Sequence, residues 1–410
     1  MPNTQSRLRI RLRNLGVSRL GLLGALITTG VSANAVVPLI CREEMLGILA
    51  SSQHYQYFLD AVTWIALPFL IGSFLFLNNF SNRRISTIGF ALLAILNLSL
   101  YLTNLQWHPI LLRCLIGIVF GLTIPMGQFS LAAAKLSPKE RIKQFTMMLN
   151  LVAAGLTIVP FIGIAILSMS AGKVSLLFLF LAFISAILSV LSNLWIPKDA
   201  HIQTPSLSSL RVPALEAWTI AGDSLVIVLT RSMYSFVLVW LSATISDYSR
   251  LQAISLCFTL PFVAWGFIAI PAVSRLKPMA SFAYFLVLPM SLLAASIGAP
   301  NHVGLPFALI LIALLSIPEA FTPGQLISQW RSPAGRQFGN VLSMALMTIC
   351  LSIGPGVFAF INQMGQSWPL LADARVTNQA IWFSLLPLPI SLLALVGFWR
   401  HRLIPPLRRR

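Results

Sequence analysis

The chain has 410 residues, of which 57% are hydrophobic and 9% are charged, and its formal net charge is +18. A mean hydropathy of +0.85 excludes a soluble globular protein, because a chain of this size could not bury so much apolar surface. Apolar runs of about 20 residues recur along the sequence, and each is long enough to cross a hydrocarbon core of about 30 Å as a helix. The composition therefore predicts an all-α polytopic membrane protein rather than the alternating strands of an outer-membrane barrel.

Twelve predicted membrane spans follow one another along the chain. They cover residues 16–40, 57–77, 85–104, 109–131, 144–169, 175–196, 218–243, 253–273, 279–299, 304–323, 340–363 and 380–399. The longest polar connector lies in the middle, and its prolines, serines and charged residues are typical of a linker. We therefore predict an N-terminal six-helix bundle over 1–196, a central cytoplasmic linker over 197–217 and a C-terminal six-helix bundle over 218–410.

The basic residues follow the positive-inside rule. Of the 28 Lys and Arg residues, four lie in predicted outer loops, Arg113 and Arg231 lie inside spans, and the others lie in segments that share a side with the N-terminus. This asymmetry predicts a multi-pass protein of a bacterial inner (plasma) membrane with both termini in the cytoplasm. The positive charge thus sets the membrane topology and does not indicate a nucleic-acid partner. The expected partners are the lipid bilayer and a small-molecule substrate. The chain is expected to be monomeric. The sequence Ala33-Asn34-Ala35 also fits a signal-peptide cleavage site, but the apolar run continues to Ile40 and favours a complete first span.

A polar motif occurs twice along the chain. Ser137-Pro138-x-x-Arg141 recurs 195 residues later as Ser332-Pro333-x-x-Arg336, and in both copies a proline follows the arginine after 19 residues. Equivalent loops at equivalent positions are expected when a chain contains two structural repeats. In membrane transporters such halves pack side by side and hold their substrate at the seam.

The fourth span contains Arg113 followed by Gly117 and Gly121. Glycines four residues apart form a flat stripe on a helix, where a neighbouring helix can approach closely. The spacing of the arginine and the two glycines resembles the fourth-helix signature of the major facilitator superfamily, specifically of its drug-and-metabolite proton antiporters. The resemblance implies twelve helices in two six-helix pseudo-repeats, with helices one, four, seven and ten around a central cavity.

A second signature of this family lies in the fifth helix of its exporters and reads GxxxGPxxGG. The fifth span matches it in part through Gly155, Pro160 and Gly163. The eleventh span carries a related Gly354-Pro355-Gly356. These matches extend the resemblance to both halves of the chain and imply an exporter.

A third signature is the family's loop between helices two and three, which reads GxLADRxGRR. This chain keeps the paired arginines, Arg83 and Arg84, but has Asn79 where the family has an acid. In the family that acid takes part in a charge network that stabilises one gating state. Asn79 can form hydrogen bonds but no ion pair, so the chain departs from the family pattern at the cytoplasmic gate.

Ionisable and polar residues inside the spans are the candidates for the substrate and proton pathway. Arg113 and Arg231 lie at membrane depth, where an arginine costs about 2.5–3.5 kcal/mol on insertion scales, so each has to face protein or water. Asp223 and Glu319 are shallower, and they either titrate during transport or snorkel to the interface. Arg113 lies near its helix end, so snorkelling to the interface is an alternative for it as well. The resemblance places all four on cavity-lining helices. Further candidates on these helices are Asn34, Gln128 and Tyr234.

Nothing in the sequence indicates chemistry on a substrate. It has no Walker loop and no nucleophile–base arrangement, and its four cysteines form no metal cluster, so we predict a protein that is not an enzyme and holds no metal or cofactor. The repeat and the intramembrane arginines point to a secondary active transporter that works by alternating access, with a proton gradient as its energy source. Because an arginine stays protonated, the proton carrier is expected to be Asp223 or Glu319.

The direction and the substrate class follow from separate features. The fifth-helix resemblance favours efflux, and two deep arginines against two shallow acids favour an anionic or zwitterionic metabolite, siderophore or drug. Proton-linked uptake of an organic anion or sugar is the main alternative. A membrane-embedded enzyme or a non-transporting scaffold is a further alternative, and it predicts no counterflow across liposomes.

Overall fold

The computed structural model describes residues 19–41, 45, 48–49, 52–76, 80–105, 108–133, 136–196, 224, 227–228, 232, 235, 239, 327, 330 and 332–367. The predicted spans eight, nine, ten and twelve and the linker 197–217 lie outside these residues, and the seventh span has six described positions. The first six spans and the eleventh are therefore the part of the prediction that can be compared with the fold.

Eight α-helices lie within the described ranges. They are α1 (Arg19–Val36), α2 (Ser52–Phe76), α3 (Asn82–Leu102), α4 (Pro109–Thr123), α5 (Met126–Ala133), α6 (Pro138–Met169), α7 (Ser175–Trp195) and α8 (Pro333–Ser367), and a 3₁₀ helix, Val37–Ile40, continues α1. Six segments are long and apolar enough to cross a membrane: Leu20–Ile40, Asn82–Leu102, Pro109–Phe129, Lys143–Met169, Ser175–Trp195 and Pro333–Val357. They coincide with the predicted spans one, three, four, five, six and eleven, and α2 occupies the second. The count of twelve spans stays a prediction for the rest of the chain.

The repeated serine–proline motif begins both α6 and α8. The Ser137 hydroxyl accepts a hydrogen bond from the backbone N–H of Glu140 at 3.2 Å, and the Ser332 hydroxyl accepts one from Gly335 at 2.9 Å. A serine in this position satisfies one of the unpaired N–H groups at a helix start, and the proline after it occupies a position where no N–H is needed. The later proline of each copy lies inside the same helix. The two copies therefore build equivalent local structures.

The fourth predicted span is interrupted. α4 ends at Thr123 and α5 begins at Met126, with Pro125 in the turn between them. Proline has no N–H to continue the helical hydrogen bonds, and the Pro125 carbonyl instead accepts bonds from the backbone N–H groups of Gln128 and Phe129, both at 3.2 Å. The fourth span is thus two helical segments, not the single run that its hydropathy predicts.

The surface formed by α3 and α7, which pack along each other, is apolar. The exposed side chains include Ile88, Leu92, Ile95, Leu98 and Leu102 on α3 and Leu179, Phe183, Ile187, Val190 and Leu194 on α7. The buried faces of the same helices carry polar residues, namely Ser86 and Asn97 on α3 and Ser185 and Ser192 on α7. Apolar groups outside and polar groups between helices are the arrangement expected in a bilayer, where helices associate through packing and hydrogen bonds.

α8 connects the two halves of the chain. It contacts α2 and α5 of the N-terminal half. On the C-terminal side, the Ser235 hydroxyl donates to the Cys350 carbonyl at 2.7 Å, and the Cys350 thiol donates to the Val228 carbonyl at 3.3 Å. Ser235 and Val228 belong to the seventh predicted span, so α8 lies between that span and the N-terminal bundle.

Candidate functional site

Arg113 projects from α4 into the N-terminal bundle and is fully buried. Its Nη1 donates to the Asn34 carbonyl oxygen at 2.7 Å and its Nε to the Phe58 carbonyl oxygen at 3.3 Å. The guanidinium carbon lies 4.8 Å from the centroid of the Phe58 ring. Arg113 therefore contacts α1 and α2 and does not snorkel to the membrane surface.

The sequence explains why α1 offers a carbonyl to this arginine. In a regular helix the Asn34 carbonyl would accept from the backbone N–H four residues later, but that position is Pro38, which has no N–H. α1 accordingly ends at Val36 and tightens into a 3₁₀ turn. Arg113 supplies a charged donor to the carbonyl that the proline leaves available, and the aromatic face of Phe58 adds a cation–π contact.

One nitrogen of Arg113, Nη2, is buried and has no hydrogen-bond partner among the described residues. The acceptors of the other two nitrogens are neutral main-chain oxygens in the same part of the chain. A guanidinium in a water-excluded place normally engages its whole fork of donors, most strongly with a carboxylate. The site thus keeps donor capacity for an anion or for water.

Asn34, a predicted site residue, belongs to a buried amide pair. Its side-chain nitrogen donates within α1, to the carbonyls of Gly30 at 3.1 Å and Val31 at 3.2 Å. Its Oδ1 accepts from Nδ2 of Asn97 on α3 at 2.7 Å. The Asn97 Oδ1 atom is buried without a partner among the described residues. Asn97, Asn34 and Arg113 together link α3, α1 and α4 through polar groups.

Gln128, another predicted site residue, lies on α5 at a seam with α8. Its Nε2 donates to the Met344 sulfur at 3.5 Å, and its Oε1 is buried without a partner in the described part of the chain. Nearby on α8, the Asn340 side chain donates to the Pro125 carbonyl at 3.4 Å, and Arg336 Nε donates to the Ala132 carbonyl at 3.0 Å. These contacts join residues of the two halves.

The seam continues along α8 as a buried polar face. Four residues spaced four apart share this side of the helix and are all buried: Asn340, Met344, Thr348 and Ser352. The hydroxyls of Ser352 and of Ser343, the residue before Met344, have no hydrogen-bond partner among the described residues. Polar groups that lack partners inside the protein favour a surface that water or a polar ligand can enter.

The predicted residues within the described ranges thus form two clusters instead of one. Arg113 and Asn34 belong to the first cluster, within the N-terminal bundle, and Gln128 belongs to the second, at the seam. Fifteen residues separate Arg113 from Gln128, which corresponds to about 22 Å along a helix axis. Asn79, Asp223, Arg231, Tyr234 and Glu319 lie outside the described residues.

The glycines of the family signatures lie at close helix contacts. A Cβ at Gly117 would be 3.0 Å from the carbonyl oxygens of Ala61 and Val62, and one at Gly121 would overlap the Ala66 carbonyl, so α2 approaches the α4 stripe directly. The fifth-span glycines face α1 in the same way, with Gly155 against Thr29 and Gly163 against Ile40. Pro160, Gly354 and Pro355 are also buried.

The paired arginines of the loop signature have different surroundings. Arg83, at the start of α3, donates through Nε and Nη2 to the Asn193 Oδ1 atom of α7, at 3.0 and 2.8 Å. This contact stays within the N-terminal bundle. Arg84 is exposed.

Sequence reasoning missed three of these residues. Asn97 interrupts an apolar run, and its amide, like that of Asn34, needs hydrogen-bond partners that a single helix cannot supply. Arg336 belongs to the repeated motif, but its partner on α5 is 204 residues away. Asn340 carried no separate signal. Among the described residues no three His, Cys, Asp or Glu side chains group as metal ligands.

Comparison with known proteins identifies the class of fold. Solved structures that resemble the chain are transporters with the major facilitator superfamily fold. The chain therefore shares this fold, as its motifs predict, and six of its described segments are long and apolar enough to cross a membrane. No protein-family model matches it, and no curated protein matches its sequence.

Two neighbours illustrate the likeness. The human organic anion transporter MFSD10 (TETRAN) superimposes with a TM-score of 0.59 at 14% identity, over 93% of this chain and 99% of that one. The proton:xylose symporter XylE, bound to 6-bromo-6-deoxy-D-glucose, superimposes with a TM-score of 0.68 at 11% identity, over 93% and 95%. At these identities the likeness establishes the fold. The antiporter branch stays a prediction.

Proposed function

We propose that the protein is a secondary active transporter that exports a small anionic or zwitterionic organic molecule in exchange for protons. The observation that carries the anionic preference is Arg113, a fully buried guanidinium whose bonded acceptors among the described residues are neutral. A positive charge held in a water-excluded bundle attracts an anion much more strongly than one in water. MFSD10, named an organic anion transporter, supports the same substrate class.

The transport cycle would use the seam between the halves. α5 and α8 meet there through single hydrogen bonds and several polar atoms without partners. Such polar atoms can bond to water when the seam separates, although Val341, Met344 and Ala345 of α8 also belong to the apolar core shared with the N-terminal half. Two rigid halves that rock about a central site are the usual mechanism of this architecture. We infer a single-chain carrier in an inner (plasma) membrane with cytoplasmic termini.

Proton coupling requires a group that changes its charge. Arginine does not do so, and Asp223 and Glu319 are the acids that the family resemblance places on cavity-lining helices. We infer that one of them carries the proton, while Arg113 provides a fixed charge for the substrate. No cofactor is required.

Uptake coupled to protons is the second candidate, and XylE, a proton:xylose symporter of the same fold, favours it. The two directions are separated in vesicles by the sign of the pH gradient that drives accumulation. An exchanger accumulates substrate inside vesicles while protons flow out of them, whereas a symporter accumulates substrate while protons flow in. A non-transporting scaffold shows no counterflow in either case.

The experiment has two stages. Metabolites are compared, inside and in the medium, between cells with and without the protein, and the compounds that differ are then tested in proteoliposomes under an imposed pH gradient. Arg113→Met should lower transport about tenfold or more, because hydrogen bonds to charged groups contribute about 1.5–3 kcal/mol. Ser189→Ala, which removes a hydrogen bond to the Thr87 carbonyl within the N-terminal bundle, is the control and should retain transport. Export of cationic dyes with no response to carboxylates would contradict the proposed substrate class.

A further inference from the structure

One contact between the two halves in the described part of the chain ends on a helix terminus. Arg336 is 7% exposed, and its Nε donates to the Ala132 carbonyl at 3.0 Å. Ala132 is the penultimate residue of α5, which ends at Ala133. The last four carbonyls of a helix have no acceptor role within it and carry the negative end of the helix dipole. The Arg336 guanidinium therefore donates to a partly negative group at the end of α5.

The position of this contact matters for gating. α5 leads into a loop that the charge pattern assigns to the cytoplasmic side, and Arg336 lies one turn into α8, which starts on that side. Arg336 thus bridges the halves at their cytoplasmic ends. The resembled family closes this side with help from a loop acid, and this chain has Asn79 at that position.

Two amide contacts of the seam are longer than the Arg336 bond. The Asn340 donation to Pro125 is 3.4 Å long, and the Gln128 donation goes to a sulfur at 3.5 Å. Both amides keep an oxygen without a partner among the described residues. These amides lose little when the seam opens, since water can bond all their polar atoms. Loss of the Arg336 bond is therefore expected to change the balance between the closed and the open seam.

We propose that Arg336 is the latch that holds the cytoplasmic side of the transporter closed, with the carboxyl-terminal carbonyls of α5 as its acceptor. The latch rests on the proposed function as a carrier. It predicts that neutralising Arg336 shifts the protein toward a state open to the cytoplasm, whatever the substrate is. Loss of one hydrogen bond from a charged donor corresponds to a shift of about tenfold or more in that balance.

The test measures access to the seam and requires no substrate. The native cysteines are replaced, Met344 on α8 is changed to cysteine, and a membrane-impermeant maleimide is added to inside-out vesicles. Met344 is fully buried and touches Gln128 across the seam, so labelling reports opening. Arg336→Gln should raise the labelling rate about tenfold, and Arg336→Lys, which keeps the charge, should raise it less.

Ser189→Ala is the control, because the Ser189 hydroxyl donates to the Thr87 carbonyl at 2.8 Å within one half. Its labelling rate should stay within about twofold of the parent, a margin well below the tenfold effect. An unchanged rate in Arg336→Gln, or an equal rise in Ser189→Ala, overturns the latch. Because no transport is measured, this failure is distinct from failure of the proposed function.

A second measurement keeps the proposal testable if Arg336→Gln does not fold. Gln128→Cys and Met344→Cys are combined, because these side chains touch across the seam. Oxidation should join them readily in the parent and stop exchange, and reduction should restore it. Absence of the cross-link in membranes means that the seam is not closed there, and the latch proposal then fails.

Discussion

Replacing Asn97 with leucine removes the donor that lies 2.7 Å from the Asn34 Oδ1 atom and keeps the branched outline of the side chain, with bulkier methyl groups in place of the amide. Both asparagines are fully buried, so no water is at hand to take the place of the lost donor. A buried acceptor left without its donor costs about 1–3 kcal/mol, whereas interhelical hydrogen bonds in a membrane protein average about 0.6 kcal/mol, with a maximum of about 1.7. We therefore expect Asn97→Leu to lower the free energy of unfolding by about 1 kcal/mol, where the two ranges overlap.

A double-mutant cycle isolates this hydrogen bond from other effects of the substitution. The free energy of unfolding is measured by denaturing-detergent titration for the parent, Asn97→Leu, Asn34→Leu and the double variant. The coupling energy should be about 0.6–1.7 kcal/mol. Ser99→Ala on the same helix is the control, because the Ser99 hydroxyl bonds within α3, to the Ile95 carbonyl at 2.9 Å, and should not couple to Asn34.

The cycle can refute the proposed link between α1 and α3. A coupling energy of less than about 0.3 kcal/mol, the usual error of additivity, would mean that the two amides do not bond in the membrane. Equal coupling for Ser99→Ala would mean that any change on α3 is transmitted to α1. Either result would remove the reason for including Asn97 in the Arg113 cluster.

Three further predictions concern helix contacts and the proton. Gly121→Ala should destabilise the protein by about 1–3 kcal/mol through overpacking against α2. Gly356→Ala is the control and should be neutral or stabilising, because no atom lies within 4 Å of the added Cβ. Thermal unfolding in detergent distinguishes the two variants, and equal effects would contradict close packing at Gly121. Pro125→Ala should straighten the fourth span and reduce transport while the free energy of unfolding stays equal or rises by up to about 3 kcal/mol; unchanged transport would show that the break has no role. Asp223→Asn or Glu319→Gln should abolish transport driven by a pH gradient but leave counterflow, and if both variants keep pH-driven transport, neither acid carries the proton.

The sequence predicted where helices cross the membrane better than where they end. The fifth span was expected over 144–169 and the eleventh over 340–363, but α6 begins at Pro138 and α8 at Pro333. Hydropathy follows the thickness of the bilayer, and a helix continues into water for as long as its backbone bonds and caps allow. The capping serine of each repeated motif marks the true start.

The contacts of the candidate site were less predictable than the helices. The spacing of Arg113 and its glycines indicated a buried position against another helix, and α2 occupies that place. The partner of Arg113 on α1 depends on a proline that frees one carbonyl, a relation visible only when both helices are in position. The pairing of Asn97 with Asn34 and of Arg336 with Ala132 depends on tertiary neighbours 63 and 204 residues away, which no local pattern encodes.

The length of α8 has a mechanical consequence. Its 35 residues extend about 52 Å, well beyond a hydrocarbon core of about 30 Å. If the helix pivots near its middle, a tilt of only about 10° carries its cytoplasmic end sideways by about 4–5 Å, more than the full reach of a hydrogen bond. A small tilt of this long helix is therefore enough to separate Arg336 from the end of α5 and to open the cytoplasmic side.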